Sequence, residues 1–230
     1  EELKNIGANY NILEQDDLIN KTAEEISNGN AIGWFQGRME FGPRALGGRS
    51  ILGDPRSPDM QKNLNLKVKY RESFRPFAPS VLKENLSDWF DLYTDSPYML
   101  MVANVNKDKC IAMSENEEKL FGIDKINLKR SEIPAVTHID YSARIQTVSK
   151  ETNPKYFKLI SKFKETTGCP ILVNTSFNVR GEPIVNSPKD AFKCFMGTQL
   201  DTLIIGNCYL NKKKQNQKLI KEYSNEFELD

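Results

Sequence analysis

The chain is poor in the residues that bind metals or form disulfide bonds. It has one histidine, His138, and its four cysteines lie far apart, at Cys110, Cys169, Cys194 and Cys208. This spacing matches neither a Cys-x-x-Cys zinc site nor the disulfide framework of a small secreted domain. We therefore expect free thiols in a reducing cytoplasm and no metal site in the protein.

Long hydrophobic runs are also absent. No stretch approaches the roughly 18 apolar residues of a membrane-spanning helix. The amino-terminal residues are acidic and polar, unlike the basic and apolar regions of a signal peptide. The sequence therefore predicts a cytoplasmic protein that does not associate with membranes. The first residues are equally compatible with the cut end of a longer protein.

Neither sign of charge dominates the chain. Lysine and arginine together number 32 against 31 aspartates and glutamates, which gives a formal net charge of +1. A protein with so little net charge produces no global field that attracts nucleic acid or an anionic surface. Nucleic acid is therefore not the expected partner, and any binding of anions must depend on a local cluster of basic residues.

Arginine forms such a cluster. Six of the nine arginines lie between residues 38 and 75, and residues 36–83 contain ten basic and four acidic side chains. An arginine side chain presents a planar fork of donors that stays charged and pairs with the oxygens of phosphates and carboxylates. The cluster therefore predicts an anion-binding site.

The length and composition predict one large domain. The 230 residues, of which 39% are hydrophobic, are enough to bury a core without a metal or a disulfide. We predict a domain over residues 1–210, followed by a polar tail or peripheral helix over residues 211–230. Apolar residues at helical spacing over 16–28 precede a buried strand at 31–35.

Helices and strands alternate along the rest of the chain. Helix starts are indicated where a capping residue precedes proline, at Ser57-Pro58, Asn153-Pro154 and Ser187-Pro188, and a further helix is predicted near 85–91. Apolar runs of strand length occur at residues 77–82, 98–105, 135–139, 145–148, 171–173 and 202–205. The alternation predicts the α/β (α+β) class, with a mixed β-sheet flanked by helices. Residues 106–133 are polar and weakly periodic, which predicts a long surface excursion with the character of a lid.

The first candidate motif is the glycine-rich segment 37–56, GRMEFGPRALGGRSILGDPR. Glycines allow backbone N–H groups to approach an anion, prolines stiffen the loop, and Arg38, Arg44 and Arg49 supply positive charge. The spacing matches neither of the two common glycine-rich nucleotide-binding motifs. The alternative is a surface loop in which the arginines pair with acidic residues such as Glu40.

The second candidate motif is the basic group Lys69, Arg71 and Arg75. Three like charges so close in sequence repel one another unless oxyanions or carboxylates neutralise them, and Glu72 meets only part of that demand. The motif therefore indicates an anion. The alternative is a network of Arg71 and Glu72 that braces the entry to the following strand.

The third candidate motif contains His138 and Asp140, followed by Arg144. On a strand, His138 and Asp140 face the same side and suit a metal, a ribose or a phosphate. A third metal ligand is not evident, and a purely structural role for His138 is the alternative.

The fourth candidate motif is Asn174 and Ser176, at the end of the apolar run 171–173. Ligands of open α/β sheets bind outside the carboxyl ends of strands, which makes these two side chains candidate ligand contacts. The alternative is a turn that is capped by its own asparagine and serine side chains.

Four segments of the chain together resemble the carboxy-terminal part of the O-carbamoyltransferases, enzymes that modify antibiotics and nodulation factors. The segments are GRMEFGPRALGGRSILGDPR at 37–56, KYRESFRPFAP at 69–79, HID with ARIQTV at 138–140 and 143–148, and LVNTSFN at 172–178. The resemblance runs from about residue 16 to residue 210. It implies a YrdC-like fold, a twisted mixed sheet flanked by helices.

The resemblance also implies a reaction. In this family the domain takes carbamoyl phosphate and ATP and makes carbamoyl adenylate, with release of phosphate and pyrophosphate, and Mg²⁺ arrives with the nucleotide. A separate amino-terminal domain, which is similar to actin and hexokinase and carries a metal, then transfers the carbamoyl group to a hydroxyl acceptor. The chain is therefore expected to be the adenylating half of such an enzyme, either excised from it or expressed as a separate subunit.

The candidate site residues fall into two groups. The basic residues that the resemblance places in a catalytic clamp are Arg44, Lys69, Arg75 and Arg144. The candidates for substrate binding are Asn174 and Ser176, which match the family's polar contacts at a strand end, together with Arg38, Glu40, Arg49 and His138, which the motifs themselves indicate. The chain departs from the family at Tyr141-Ser142, where a Gly-Thr pair is usual. The larger side chains add bulk beside Arg144.

Two other functions are compatible with the sequence. YrdC-like domains occur in transfer-RNA modification, so the basic cluster could bind RNA, although few aromatic side chains interleave with the arginines as stacking platforms. The other alternative is a non-catalytic partner domain that binds nucleotide alone. Binding of carbamoyl phosphate separates the adenylating enzyme from both alternatives.

Overall fold

A mixed sheet of nine strands forms the centre of the part of the chain that the structure describes, residues 1–126, 128–220 and 227. The structure is a computed structural model. In chain order the strands are β1 (Asn11–Ile12), β2 (Ile32–Phe35), β3 (Arg49–Gly53), β4 (Ala78–Leu82), β5 (Met101–Asn104), β6 (Ser142–Val148), β7 (Ile171–Ser176), β8 (Thr202–Ile205) and β9 (Cys208–Asn211). Their order across the sheet is β1-β9-β8-β2-β3-β7-β4-β6-β5.

The pairing of the strands confirms the predicted mixed α/β sheet. Strand β2 pairs with β8, and β4 with β6, in parallel. The other neighbouring pairs are antiparallel. The described helices are α1 (Glu2–Asn5), α2 (Gln15–Ser27), α3 (Met60–Lys67), α4 (Leu86–Trp89), α5 (Glu115–Glu118), α6 (Ile123–Ile126), α7 (Pro154–Thr167) and α8 (Pro188–Gly197).

Two of the three predicted proline-marked helix starts are confirmed. The Asn153 side chain accepts the backbone N–H of Tyr156 at the start of α7, and Gly168 ends this helix with φ of 77°. Ser187 and Asp190 form a reciprocal capping box at the start of α8.

The predicted helix start at Ser57-Pro58 is wrong, because α3 begins at Met60. The Asp54 carboxylate accepts the backbone N–H of Arg56 and also pairs with its guanidinium, 2.6 Å away. This turn holds the chain out of helical conformation, so the proline lies ahead of the helix. The predicted helix near 85–91 is also shorter than expected, since α4 follows a single 3₁₀ turn, Lys83–Asn85.

The predicted strand at residues 135–139 is wrong as well. Pro134–Val136 is a 3₁₀ turn, and local side-chain hydrogen bonds hold the residues around it. The Thr137 hydroxyl donates to the carbonyl of Ile133, and the Arg130 guanidinium donates to the carbonyl of Thr137. These bonds offer the backbone an alternative to a sheet ladder. His138 and Asp140 therefore belong to a turn and do not alternate along a strand.

The excursion over 106–133 carries only short helices in its described residues, α5, α6 and the 3₁₀ turn Lys107–Lys109. An isolated bridge between Cys110 and Ser131 closes it at its base. Strands β1, β3 and β9 were not expected from the sequence. β3 begins with the polar pair Arg49 and Ser50, and β1 has only two residues, so neither carries the apolar signature of a strand.

The core lies between the sheet and the helices that pack on it. Helix α2 buries Leu18 and Ile26, and α7 buries Leu159 and Phe163, so the two helices pack on each other over strands of the sheet. Each fully buried large apolar side chain contributes about 1.5–3 kcal/mol to stability. None of the helices in the described part of the chain combines the length and the apolar character needed to cross a bilayer.

Residues 211–220 continue from β9 through two 3₁₀ turns, Lys212–Lys214 and Gln217–Leu219. The side chain of Gln215 is buried and exchanges hydrogen bonds with the backbone N–H and carbonyl of Asn9. The rest of the predicted tail, 221–226 and 228–230, lies outside the described residues. The division of the chain at residue 210 stays a prediction.

Candidate functional site

An open hollow of about 360 Å³ lies beside the end of β7. Four arginines line it: Arg44, Arg71, Arg75 and Arg144. The other predicted site residues in its lining are His138, Asn174 and Ser176. No aspartate or glutamate is among its described lining residues. Because guanidinium groups stay charged at neutral pH and no carboxylate is among the described lining residues, the hollow suits an anion.

A second hollow of about 400 Å³ adjoins the first, with which it shares Arg71, Arg75 and Ser176. Lys69 and Arg180 line only the second hollow. The two arginines on the boundary therefore face both spaces. The structure brings the four predicted clamp residues, distant in sequence, to these two adjoining hollows, and Glu182 also lines the second hollow.

The loop that carries Arg44 is held by a single carboxylate. Oε1 of Glu40 lies 2.7 Å from the backbone nitrogen of Leu46 and 2.6 Å from that of Gly48, and both N–H groups donate to it. A third N–H, from Arg49, donates over 3.3 Å. Glu40 therefore closes the loop from which Arg44 reaches the hollow.

Helix α3 positions the loop of Arg71 and Arg75. The buried side chain of Asn65 donates through Nδ2 to the carbonyls of Ser73 and Arg75, and its Oδ1 accepts Nε–H of Arg71 over 2.7 Å. Burial and the neighbouring Arg75 lower the pKa of Arg71 to about 10, so the guanidinium stays charged at neutral pH. The single salt-bridge partner described for Arg75 is the exposed Glu72, 3.7 Å away.

Lys69 is almost completely buried at the base of the second hollow. Its Nζ donates to the carbonyl and the side-chain Oδ1 of Asn178, 2.8 and 2.7 Å away, and to the carbonyl of Ser176. Burial and the neighbouring Arg71 lower the pKa of Lys69 to about 7. The side chain of Lys69 therefore holds residues 176–178, at and just after the end of β7, in position beside the second hollow.

Arg144 lies in β6 directly opposite Val102 of the edge strand β5. Its Nε is buried, and no hydrogen-bond partner for that atom is found within the described residues. Burial and the nearby Arg44 both lower the pKa of Arg144. The side chain of Arg144 lines the first hollow, although this particular N–H is itself shielded from solvent.

His138 lines the first hollow from the turn before β6. Its Nδ1 lies 3.3 Å from Oγ of Ser142, and burial is the main cause that lowers the pKa of the imidazole below its ordinary value. The ring is therefore neutral at neutral pH. The Asp140 carboxylate is turned to the backbone N–H and hydroxyl of Ser142, where it stabilises the turn.

Asn174 connects β7 to the arginine loop. Its buried Nδ2 donates to the carbonyl of Ala45, to Oγ of Ser80 and to Oε1 of Gln146. Its Oδ1 is buried without a hydrogen-bond partner in the described part of the chain. Asn174 therefore holds the arginine loop in place beside the hollow.

Arg38, Glu40 and Arg49 are not among the residues that line these two hollows. The Arg49 guanidinium is buried 3.4 Å from the centre of the Phe35 ring and donates to backbone carbonyls of the same loop. Arg38 and Glu40 border a separate cavity of about 560 Å³. Their roles as substrate contacts stay predictions.

Arg71 belongs to the second candidate motif but was not assigned to the clamp, and Asn178 and Arg180 were given no role from the sequence. The signals that support roles for Arg71 and Asn178 are the Lys-x-Arg spacing of residues 69–71 and the Ser-x-Asn spacing of residues 176–178. Both pairs occupy extended or turning backbone, where alternate side chains meet the same space. The position of Arg180 depends on the turn after β7, which local spacing does not specify.

Backbone strain is concentrated around the hollows. The only non-glycine residues described with positive φ are Tyr70, Met99 and Tyr141, at 49°, 57° and 64°. Tyr70 follows Lys69, Met99 lines the first hollow, and Tyr141 lies in the turn of His138. Such conformations cost of order 1–2 kcal/mol each and persist where the surrounding structure enforces them.

Within the described residues, no group of three or more histidine, cysteine, aspartate or glutamate side chains is arranged to hold a metal ion.

Comparison with known proteins gives a family match over most of the chain. Residues 23–212 match the family model described as carbamoyltransferase C-terminus. The chain is 55% identical to the uncharacterized protein sll1178 of Synechocystis sp. over 98% of its own length and 37% of that protein. It is 42% identical to nodulation protein NolO of Bradyrhizobium diazoefficiens, covering 92% of this chain and 36% of that protein.

A third relative is the 3'-hydroxymethylcephem-O-carbamoyltransferase of Streptomyces clavuligerus, 32% identical over 81% of this chain and 32% of that protein. The chain thus spans about a third of the length of these relatives. Among solved structures, full-length HypF in a phosphate- and nucleotide-bound form matches with a TM-score of 0.52 and 15% identity, over 84% of this chain and 25% of HypF. That likeness supports the fold alone.

Proposed function

Because the chain belongs to the family of carbamoyltransferase C-terminal domains, we propose that its paired hollows bind carbamoyl phosphate and ATP and that the domain forms carbamoyl adenylate. The activated carbamoyl group is then passed to a hydroxyl acceptor by a partner domain. The acceptor would be selected by that partner.

One observation carries the proposal. Four arginines converge on a hollow whose described lining has no carboxylate, and two of them also face the adjoining hollow. A single small anion needs one or two guanidinium groups, whereas two polyanions held side by side need several. Two adjoining spaces with shared cations therefore fit two reactants that repel each other.

The chemistry needs positioned cations and no covalent nucleophile on the protein. Water releases phosphate from carbamoyl phosphate and leaves carbamate. A carbamate oxygen then attacks the α-phosphorus of ATP, and the bond from this phosphorus to the leaving pyrophosphate breaks. Negative charge develops on the non-bridging and leaving oxygens, where fixed guanidinium groups stabilise it.

Individual residues have distinct parts in this scheme. Arg71 and Arg75, on the boundary of the hollows, would contact both reactants. Arg144 and Arg44 would hold an anion in the first hollow, which both side chains line. The neutral imidazole of His138 can donate or accept one hydrogen bond there without adding charge.

ATP and Mg²⁺ fit this site as a pair. Guanidinium donors match phosphate oxygens, and Mg²⁺ bound to the triphosphate supplies further neutralisation of its charge. The protein would hold the complex through its arginines.

The direct test is incubation of the chain with ATP, Mg²⁺ and carbamoyl phosphate, with pyrophosphate and phosphate measured separately. We expect pyrophosphate release that requires carbamoyl phosphate and that is lost in Arg144→Ala. ATP binding without binding of carbamoyl phosphate, measured by calorimetry, would instead support a nucleotide-binding partner domain.

A control tests whether the reaction requires the amino-terminal domain that accepts the carbamoyl group. If the chain alone releases no pyrophosphate, the assay is repeated with the amino-terminal portion of a long relative added, because an unstable intermediate can require a docked acceptor domain. Absence of pyrophosphate in both assays would overturn the proposal.

A further inference from the structure

The sheet ends at an apolar strand that the described residues cover only at its carboxyl end. Strand β5 pairs with β6 on one side; on the other side the backbone N–H of Asp91 donates to the carbonyl of Asn104, and no described strand pairs with residues 98–103. The exposed fractions of the side chains are 67% for Tyr98, 74% for Leu100, 42% for Met101 and 58% for Val102, whereas Met99 is buried. We refer to residues 98–104 as the β5 edge.

Both faces of the β5 edge are open. Successive side chains of a strand point to opposite faces, so exposure of both Met101 and Val102 means that neither face is covered. Residues 98–104 contain no charged residue and no proline. Natural sheets protect edge strands with such residues or with a covering element, because an open apolar edge pairs with other chains.

The opposite end of the sheet is built differently. Its edge strand β1 has only two residues, Asn11 and Ile12. A strand this short offers little backbone for pairing. Among the described residues the β5 edge is protected only at Asn104, which indicates that residues 98–103 are covered by another part of the protein.

The β5 edge also borders the first hollow. Val102 lies opposite Arg144, which places the two side chains on the same face of the sheet. Met99 and Val102 line the hollow. Anything that packs on the β5 edge must therefore lie at the wall of the anion site.

We propose that the β5 edge is the docking surface for the amino-terminal portion of the carbamoyltransferase and that this portion meets it with an apolar surface or strand. The occupant is inferred from length, because the chain covers about a third of the length of these relatives, which leaves most of their residues available to cover the β5 edge. The proposal rests on the proposed function, since it gives the docked portion direct access to the hollow.

The test compares amide hydrogen exchange in two proteins: this chain alone, and a chimera in which it replaces the matching region of the Synechocystis relative. We expect exchange over 98–104 to be at least about tenfold slower in the chimera, because docking removes the free edge from solvent. Exchange over residues 9–14, at the other edge, should be the same in both proteins. Residues 171–176 serve as the reference for a folded domain.

Two variants sharpen the test. Leu100→Glu in the chimera should return exchange over 98–104 towards the rate of the isolated chain, whereas Ile12→Glu, the same change at the opposite exposed edge, should not. A second readout mixes the chain with the separately produced amino-terminal portion of the relative. We expect association that is weakened at least about tenfold by Leu100→Glu and is unaffected by Ile12→Glu.

Equal rates of amide exchange over residues 98–104 in the isolated chain and the chimera would overturn the proposal. Association with the amino-terminal portion that is unchanged by Leu100→Glu would also overturn it. Protection that appears in the isolated chain as its concentration rises would show that a second copy covers the edge, which also overturns it. Neither Leu100 nor Ile12 lines a hollow, so pyrophosphate release by the isolated variants reports on the proposed function independently of docking.

Discussion

The Nζ atom of Lys69 lies 2.7 Å from Oδ1 of Asn178, although 109 positions separate the two residues in the chain. This contact ties the arginine loop of residues 69–75 to the turn after β7. Because the lysine is buried and its donors are directed at protein oxygens, its main contribution to the site is the position of the groups around it.

The titration of Lys69 gives a prediction about protons. With its pKa lowered to about 7, Lys69 is largely unprotonated at pH 8. A bound anion favours the ammonium form and raises this pKa, so binding of sulfate at pH 8 should be accompanied by uptake of protons. Calorimetry in buffers of different ionisation enthalpy measures the uptake. Lys69→Met should abolish it.

His138→Gln is the control for this uptake. The pKa of the imidazole is below its ordinary value of 6.5, so His138 contributes little at pH 8 and the variant should keep the wild-type uptake. Proton uptake that survives in Lys69→Met and disappears in His138→Gln would contradict this prediction, because it would show that His138 takes up the proton.

Removal of an arginine from the first hollow should cost activity more than stability. We expect Arg44→Ala to lower kcat/KM for carbamoyl-phosphate-dependent pyrophosphate release at least about 100-fold, since it deletes a cation that faces developing charge. The exposed side chain of Arg44 contributes little to the core, so the unfolding midpoint should stay close to that of the wild type. Lys158→Ala, an exposed change of equal charge on α7, should leave the rate unaltered.

Asn65 is predicted to stabilise both the fold and the site. Asn65→Ala deletes two donors and one acceptor in a buried position, and leaves Nε of Arg71 without its partner. We expect a loss of about 1–3 kcal/mol in the free energy of unfolding, measured by urea denaturation. Asn63→Ala, on the same helix and only partly buried, should change it by less than about 0.5 kcal/mol.

The Glu40 loop closure can be separated from direct substrate contact. Glu40→Ala frees the N–H groups of Leu46 and Gly48, so the loop that presents Arg44 should lose order and KM should rise about tenfold or more. Glu40→Gln keeps an acceptor oxygen and should show a smaller effect. Equal loss in both variants would indicate that the carboxylate charge itself acts on the substrates.

Gly33 and Gly53, both in strands of the sheet, allow the same substitution to be compared against a rigid and a flexible neighbouring side chain. A Cβ at Gly33 would lie 2.7 Å from Cζ of the buried Phe177 ring, whereas a Cβ at Gly53 would meet the flexible end of Met60. We expect Gly33→Ala to destabilise the protein by about 1–3 kcal/mol and Gly53→Ala to cost less, because a methionine side chain can move aside. Thermal unfolding of both variants tests the difference.

Much of the fold could be predicted from local signals. The spacing of apolar residues over α2, and the asparagine or serine caps with proline at α7 and α8, specify these helices within a few residues because capping is a local interaction. The 3₁₀ turn Pro134–Val136 could not be predicted, since the hydrogen bonds that hold it involve Arg130 and Ser131, whose positions depend on the fold around them.

The candidate site also has features that local sequence specifies and features that depend on the surrounding fold. Arg44, Arg75 and Arg144 were identified by residue type and motif, and the structure brings them to one hollow. The sequence could not show that Glu40 closes a loop, nor that the guanidinium of Arg49 lies against Phe35, because both depend on how β2 and β3 pair.

Tyr141 fixes the base of the excursion over residues 106–133 to the turn that carries His138. Its left-handed backbone suits glycine, yet the tyrosine hydroxyl donates to the carbonyl of Ile111 over 3.3 Å, next to the Cys110 bridge at the base of the excursion. The side chain is thus a tether between the turn of His138 and the root of that excursion. With the root anchored, the outer residues of the excursion are free to change in length and sequence among descendants of this protein without loosening the anion clamp.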